Sequence, residues 1–107
     1  MPLAPTDAFA ALANPTRRAI FEHLTRAGEL SVRVITEEAG VSQPAVSKHL
    51  AVLTRAGLTH ARPDGRQTFY SAHPAGLKPL VDWLELYAQF WSEKLDALED
   101  LLDRTDP

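Results

Sequence analysis

Two short helical segments separated by a glycine constrain the fold of this chain more than any other feature. Ser31 and Ser42 each precede an apolar helical repeat, and serine is a residue type that caps helix N-termini. Gly40 lies between the segments and allows a tight turn. Pro44 falls in the first turn of the second segment, where its missing N–H is tolerated. The pattern predicts a helix-turn-helix over about residues 31–56.

The periodicity changes after this unit and predicts a two-stranded β-hairpin. The segments LTHAR and RQTFY flank the sequence PDG, in which proline fixes φ and glycine accepts a positive φ. We therefore expect a wing over about residues 58–72, with Arg62 and Arg66 at its tip. A helix-turn-helix followed by such a hairpin is a winged helix-turn-helix, whose second helix lies in the major groove of DNA.

The two ends of the chain predict three further helices. Residues 6–13 form a short helix, and Asn14-Pro15 starts a second helix that ends at Gly28. The last third predicts one long helix over about residues 77–103, with a 4-3-4-3 apolar spacing and a second apolar stripe beside it. One stripe can pack on the protein's own core, but two stripes need a second partner. The predicted homodimer interface consists of Phe9, Leu12, Leu84, Tyr87, Ala88, Trp91, Leu95, Leu98 and Leu102.

Composition and charge are compatible with one globular domain over residues 1–107 that contacts DNA locally. The hydrophobic content of 45% with 23% charged residues is ordinary for a soluble protein. The net charge of −3 divides into +2 for residues 1–75 and −5 for residues 76–107. A local basic surface can still bind DNA, because the phosphate field acts mainly within a Debye length of ~10 Å. The predicted fold class is mainly α, a winged helix-turn-helix with a two-stranded wing and a long C-terminal dimerisation helix.

The second helix of the helix-turn-helix carries an uncharged, hydrogen-bonding face. Gln43 and Ser47 can bond base edges, and Lys48 can reach a guanine or a phosphate. The nearby arginines suit phosphates, and those of the wing also suit a narrow minor groove. For His49, a phosphate contact and a packing role under the helix both remain open. The predicted DNA-binding residues are Ser42, Gln43, Pro44, Ala45, Ser47, Lys48, His49, Arg55, Arg62 and Arg66.

Four segments resemble the ArsR family of bacterial winged-helix repressors: LANPTRRAIFEHL, GELSVRVI, AGVSQPAVSKHLAVLTRAGL and DGRQTFY. The likeness covers nearly the whole chain, and SQPAVSKHL with the following VLTRAGL is highly specific. The resemblance implies a homodimer on an inverted-repeat operator of double-stranded DNA, with the first and last helices at the interface. It also implies repression of transcription, often relieved by a metal ion or another inducer.

The chain departs from the metal-sensing members of that family. Arsenic- and lead-type sensors carry cysteines where ELSVR here has Ser31 and Arg33, and this chain contains no cysteine. Zinc- and nickel-type members use Asp and His on the last helix, but residues 78–107 contain no His. We therefore expect no metal site and no cofactor.

The sequence gives little support for an enzyme or a membrane protein. It contains no glycine-rich phosphate loop, no Cys nucleophile and no recognisable Ser-His-Asp motif. No apolar run approaches the roughly 20 residues that span a bilayer, and the N-terminus lacks a signal-peptide pattern. These absences predict a cytoplasmic protein that is not an enzyme.

Two alternatives concern the aromatic residues of the last helix. They could receive another protein while DNA binding is weak or lost, which would make the chain a winged-helix interaction module. They could instead receive an organic or protein inducer of a DNA-binding repressor. The dimer core is the favoured interpretation, because aromatics at helical spacing usually pack in cores. The residues concerned are Trp83, Tyr87, Phe90 and Trp91.

Overall fold

The computed structural model describes residues 5–105 as five α-helices, a short three-stranded sheet and a 3-10 turn. The helices are α1 (Pro5–Ala13), α2 (Pro15–Ala27), α3 (Val32–Ala39), α4 (Gln43–Arg55) and α5 (Lys78–Thr105). The strands are β1 (Leu30–Ser31), β2 (Thr59–Asp64) and β3 (Gln67–Ala72), and the 3-10 turn spans Pro74–Leu77. The predicted fold class, a mainly α winged helix-turn-helix with a long C-terminal helix, is confirmed.

The start signals seen in the sequence act as helix caps. Asn14, Ser31 and Ser42 each accept a hydrogen bond from the backbone N–H three residues later, at 3.0, 3.3 and 3.3 Å. Gly28 and Gly40 follow α2 and α3 with φ angles of 84° and 71°, a region that favours glycine. The boundaries of these helices therefore depend on local side chains that the sequence makes visible.

One face of α4 is buried in the hydrophobic core. Val46, Leu50 and Leu53 are 0% exposed, and they recur at the spacing of one helix face. The opposite face of α4 consequently remains at the surface. The other members of the core come from α1, α2, α3 and the residues between α4 and β2: Ala11, Ile20, Phe21, Leu24, Ile35, Ala56 and Leu58.

The turn of the wing lies further along the chain than predicted. Asp64 pairs with Gln67, so the loop consists of Gly65 and Arg66. Gly65 has a φ of 62°, which the first loop residue of a type II′ turn requires. Pro63 belongs to β2, where it is tolerated because β2 is an edge strand.

A third strand extends the predicted two-stranded wing. β1 pairs antiparallel with β3 through Leu30 with Tyr70 and Ser31 with Phe69, which gives the strand order β1-β3-β2. Two residues are too few to show a strand periodicity, so the sequence pattern could not indicate β1. Because Ser31 also caps α3, β1 joins the wing directly to the first helix of the helix-turn-helix.

Helix α5 projects away from the core. Its 28 residues correspond to about 42 Å, and the residues from Val81 to Arg104 are all exposed. The radius of gyration is 18.9 Å, whereas a compact chain of this length has about 13 Å. Near its start, the Trp83 ring meets the Phe9 ring of α1 edge-on, with 5.2 Å between centroids. Beyond this contact, the apolar residues of α5 stay exposed and are not buried in the core of the chain.

Candidate nucleic-acid interface

The polar face of α4 is directed to solvent. Within residues 5–105, the side chains of Gln43, Ser47 and Lys48 are exposed and make no hydrogen bond or ion pair. Their donors and acceptors are therefore available to an external partner, while the buried face fixes the orientation of the helix. Of the predicted DNA-binding residues in α4 and at its N-cap, Ala45 and His49 are half-buried and the others are exposed: Ser42, Gln43, Pro44, Ser47, Lys48 and Arg55.

A polar cleft of about 410 Å³ joins the start of α4 to the wing. Gln43 and Ser47 line it from α4, and Arg66 lines it from the wing turn. The structure thus brings together three of the predicted DNA-binding residues from two separate elements. The remaining lining residues are Ser31, Val32, Arg33, Gln67, Thr68 and Tyr70.

Arg33 is a cleft residue that sequence reasoning did not assign to this surface. It lies in the first turn of α3 and forms an exposed ion pair with Glu37, at 3.6 Å between Nε and Oε1. Its proximity to the wing depends on the pairing of β1 with β3, which the sequence pattern does not reveal. The only signal for Arg33 in the sequence was a basic residue two positions after Ser31.

Arg62 does not lie at the tip of the wing, and that part of the prediction is wrong. It stands within β2 opposite Phe69, whose ring centroid is 4.8 Å from the guanidinium carbon. Its Nη2 and Nε donate to the two carboxylate oxygens of Glu29 at 2.7 and 3.0 Å, and Asp64 lies 3.6 Å from Nη1. The hydrogen bond from Arg62 lowers the pKa of Glu29 from its ordinary value and raises that of Arg62.

His49 is half-buried and lies beside Arg17 of α2. The Nη1 atom of Arg17 lies 3.5 Å from its Nδ1. Arg17 also donates from Nη2 to the carbonyl of Ala10 at 3.0 Å and from Nε to the carbonyl of Ala11. These carbonyls end α1 and lack partners within their own helix. His49 therefore contacts Arg17 of α2, which in turn bonds the end of α1, and this contact favours the packing role over the phosphate contact.

The apolar residues predicted for dimerisation form an exposed surface on α1 and α5. Trp91 and Leu95 are both 61% exposed. Trp83 links the two helices, because its ring contacts both Phe9 and Tyr87. Leu12 differs from the rest, since it is half-buried against the hydrophobic core. The exposed members of the predicted set are Phe9, Leu84, Tyr87, Ala88, Trp91, Leu95, Leu98 and Leu102.

The side chains at the family's metal-ligand positions have other roles. Ser31 is 7% exposed and caps α3, and Arg33 pairs with Glu37. Among residues 5–105, no group of three His, Asp or Glu side chains is arranged to hold a metal ion. No helix in the same part of the chain is long and apolar enough to cross a membrane.

Comparison with known proteins gives consistent matches. Residues 12–61 match the helix-turn-helix domain family. The chain is 41% identical to the HTH-type transcriptional regulator Rv2034 of Mycobacterium tuberculosis, over 94% of this chain and 90% of that protein. It is 38% identical to the arsenic resistance transcriptional regulator ArsR1 of Pseudomonas putida, over 75% of this chain and 68% of that one. The solved ArsR-like transcriptional regulator from Rhodococcus sp. RHA1 aligns with a TM-score of 0.71 and 32% identity, over 91% of each chain.

An exposed polar helix, positioned by a buried face and flanked by a basic wing turn, defines a winged helix-turn-helix DNA-binding protein. The sequence and structural matches identify the group more closely. This chain belongs to the ArsR family of transcriptional regulators. Proteins of this family regulate transcription by binding DNA, typically as dimers, and are not enzymes.

Proposed function

We propose that the protein is a homodimeric repressor that binds an inverted-repeat operator through α4 and the wing. The observation that carries this proposal is the unpaired polar face of α4 beside the cleft that Arg66 also lines. Gln43 and Ser47 have the donors and acceptors that base edges require, and Arg66 has the charge that phosphates require. The residues that read bases and the residue that contacts the backbone therefore face the same side of the molecule.

Dimerisation is supported by the exposed apolar surface of α5. Large apolar side chains such as Trp91, Leu95 and Leu98 are at least half exposed along a seam of coiled-coil spacing. A contiguous apolar surface of this length is unfavourable in water, and a second copy of the helix would cover it. In a two-fold dimer, the two α4 helices should lie about 34 Å apart, one turn of duplex DNA.

Any inducer of this repressor is proposed to act elsewhere than at the family's thiolate or α5 metal positions. The first position contains Ser31, which caps α3, and the α5 segment contains no histidine. The exposed aromatic residues of α5 are a candidate surface for an organic or protein inducer. The alternative of a pure interaction module is less favoured, because it leaves the available polar face of α4 without a role.

Selection of bound fragments from a random duplex library, at low and near-physiological salt, tests this function. The proposal predicts an enriched inverted repeat whose half-sites are centred one helical turn apart and which survives the higher salt. Sequence-independent binding that disappears with salt would reflect counterion release alone. That outcome would contradict the operator proposal and favour the interaction module.

A further inference from the structure

The two arginines of the wing differ in their surroundings. Arg66 is exposed in the hairpin turn, and within the described chain its side chain makes no hydrogen bond or ion pair. Arg62 is joined to Glu29 by two hydrogen bonds of 2.7 and 3.0 Å and is 3.6 Å from Asp64. Two parallel hydrogen bonds between a guanidinium and a carboxylate are the strong, geometrically specific form of this pair. The two residues therefore cannot present their charges to DNA in the same way.

The Glu29–Arg62 pair also crosses the sheet. Glu29 directly precedes β1, whereas Arg62 lies on β2, and the two strands flank β3 on opposite sides. Phe69 of β3 supports the guanidinium from below, at 4.8 Å from its ring centroid. The pair thus ties one edge strand to the other over the middle strand. Because β1 continues into α3, the tie also fixes the wing relative to the helix-turn-helix.

The charge balance around Arg62 is unfavourable for a phosphate. One positive guanidinium faces two carboxylates, so the cluster of Glu29, Arg62 and Asp64 carries a net charge of −1. A phosphate approaching this edge would meet like charge and would have to replace two existing charge-assisted hydrogen bonds. A phosphate that approaches Arg66 meets no carboxylate paired with it in the described chain and replaces no existing hydrogen bond of its side chain.

From this geometry we infer that Glu29 is a positioning residue that withholds Arg62 from DNA and leaves Arg66 as the phosphate contact of the wing. This inference rests on the proposed function, because it concerns how the repressor approaches its operator. The two wing arginines therefore have different roles. Arg62 fixes the wing, and the pairing of its charge with Glu29 lowers the affinity of the protein for non-specific DNA.

The salt dependence of binding to a random-sequence duplex tests the inference. Each phosphate contact contributes about 0.9 to the slope of log K against log salt, so one contact from each protomer contributes about 1.8 per dimer. We expect Arg66→Gln to make the slope shallower by about 1.8 and Arg62→Gln to leave it unchanged. Glu29→Gln should release Arg62, because an amide offers one acceptor in place of two, and should make the slope steeper.

The double variant Glu29→Gln/Arg62→Gln separates a released arginine from a simple loss of negative charge. The inference predicts that it restores the wild-type slope. A steeper slope in the double variant would show that Glu29 acts through space. A shallower slope for Arg62→Gln alone, which Arg66→Gln makes shallower by about a further 1.8, would show that Arg62 contacts phosphate. Either result overturns the inference while wild-type binding remains normal. Wild-type protein that does not bind DNA would instead contradict the proposed function itself, and the inference with it.

Circular dichroism verifies that each variant is folded. If Arg62→Gln does not fold, the slope of Glu29→Gln compared with that of the wild type tests the inference. Glu29→Gln should fold, because Glu29 is at the surface and glutamine fills the same volume. An unchanged slope for Glu29→Gln then overturns the inference.

Discussion

At the scale of single residues, the structure separates side chains with local partners from those whose partners are distant in sequence. Asn14, Ser31 and Ser42 act on the backbone three residues later, which makes their roles readable from the sequence. Arg17 and Arg62 act on carbonyls or carboxylates that lie elsewhere in the chain. The sequence could therefore identify the caps, but it could not distinguish an arginine that stabilises the fold from one that contacts DNA.

The first residue-scale prediction concerns Arg17, which donates to carbonyls at the end of α1. We expect Arg17→Gln to reduce the free energy of unfolding by about 1–2 kcal/mol, because a charged hydrogen-bond donor to these carbonyls is lost. Urea denaturation measures this change. Arg26→Gln is the matched control, since Arg26 is exposed on the same helix and forms no hydrogen bond within the described chain. Equal losses in the two variants would contradict the role given to Arg17.

The second concerns pH and Glu29, whose pKa is lowered by the hydrogen bond from Arg62. A carboxyl group with a lowered pKa in the folded state stabilises the protein above its ordinary pKa of 4.5, and this contribution is lost as the pH falls through the lowered value. The wild type should therefore be more stable than Glu29→Gln near pH 6, and the difference should shrink below about pH 4.5. Urea midpoints from pH 6 to pH 3 test this, with Glu22→Gln as a control. A difference that is independent of pH would contradict the ion-pair account.

At the scale of elements, regular periodicity made the helices and the hairpin predictable. The junctions between these elements could not be predicted in the same way. The α4 helix could be predicted because its cap and its buried spacing agree. The turn of the wing was predicted at PDG because these residues have turn chemistry. It lies further along the chain, because the edge position of β2 lets Pro63 remain in the strand. Strand β1 was missed because its two residues are defined by their partner β3 and not by their own pattern.

Gly76 provides a test at one of these junctions, where the 3-10 turn before α5 passes close to the turn after α4. A Cβ atom added at Gly76 would lie 2.0 Å from the carbonyl oxygen of Gly57. Backbone cannot move aside as a flexible side chain can, so Gly76→Ala should destabilise the protein by about 1–3 kcal/mol. Ala75→Ser in the same turn is the control, because Ala75 is exposed. A Gly76→Ala thermal midpoint equal to that of the control would contradict this close contact.

At the scale of the whole molecule, the core explains α1 to α4 and the wing but leaves most of α5 uncovered. The dimensions of 67 × 35 × 20 Å reflect this projecting helix. Its apolar seam was readable from the sequence, because a 4-3-4-3 spacing does not depend on other elements. The identity of the partner that covers the seam could not be read in this way, because the same spacing results whether a second copy of the helix or another protein packs on it.

A matched pair of substitutions tests whether a second copy covers this seam. Leu95→Glu places a charge on the seam, and it should dissociate the dimer with little effect on the folded protomer, because Leu95 is 61% exposed. Leu86→Glu makes the same chemical change on the opposite side of α5, where Leu86 is 74% exposed. Sedimentation equilibrium should give monomers for Leu95→Glu and dimers for Leu86→Glu. Dimers in both cases would place the interface elsewhere.

The central claim is that α4 reads DNA through Gln43, once in each half of a two-fold site. The most direct measurement is a parallel selection from one random duplex library with the wild type, Gln43→Ala and the control Gln89→Ala. We expect the wild type and Gln89→Ala to enrich the same inverted repeat. Gln43→Ala should relax one position in each half-site, at a cost of about 1–3 kcal/mol on the preferred sequence. Equal weakening on all sequences, with every position of the repeat retained, would contradict base reading by Gln43.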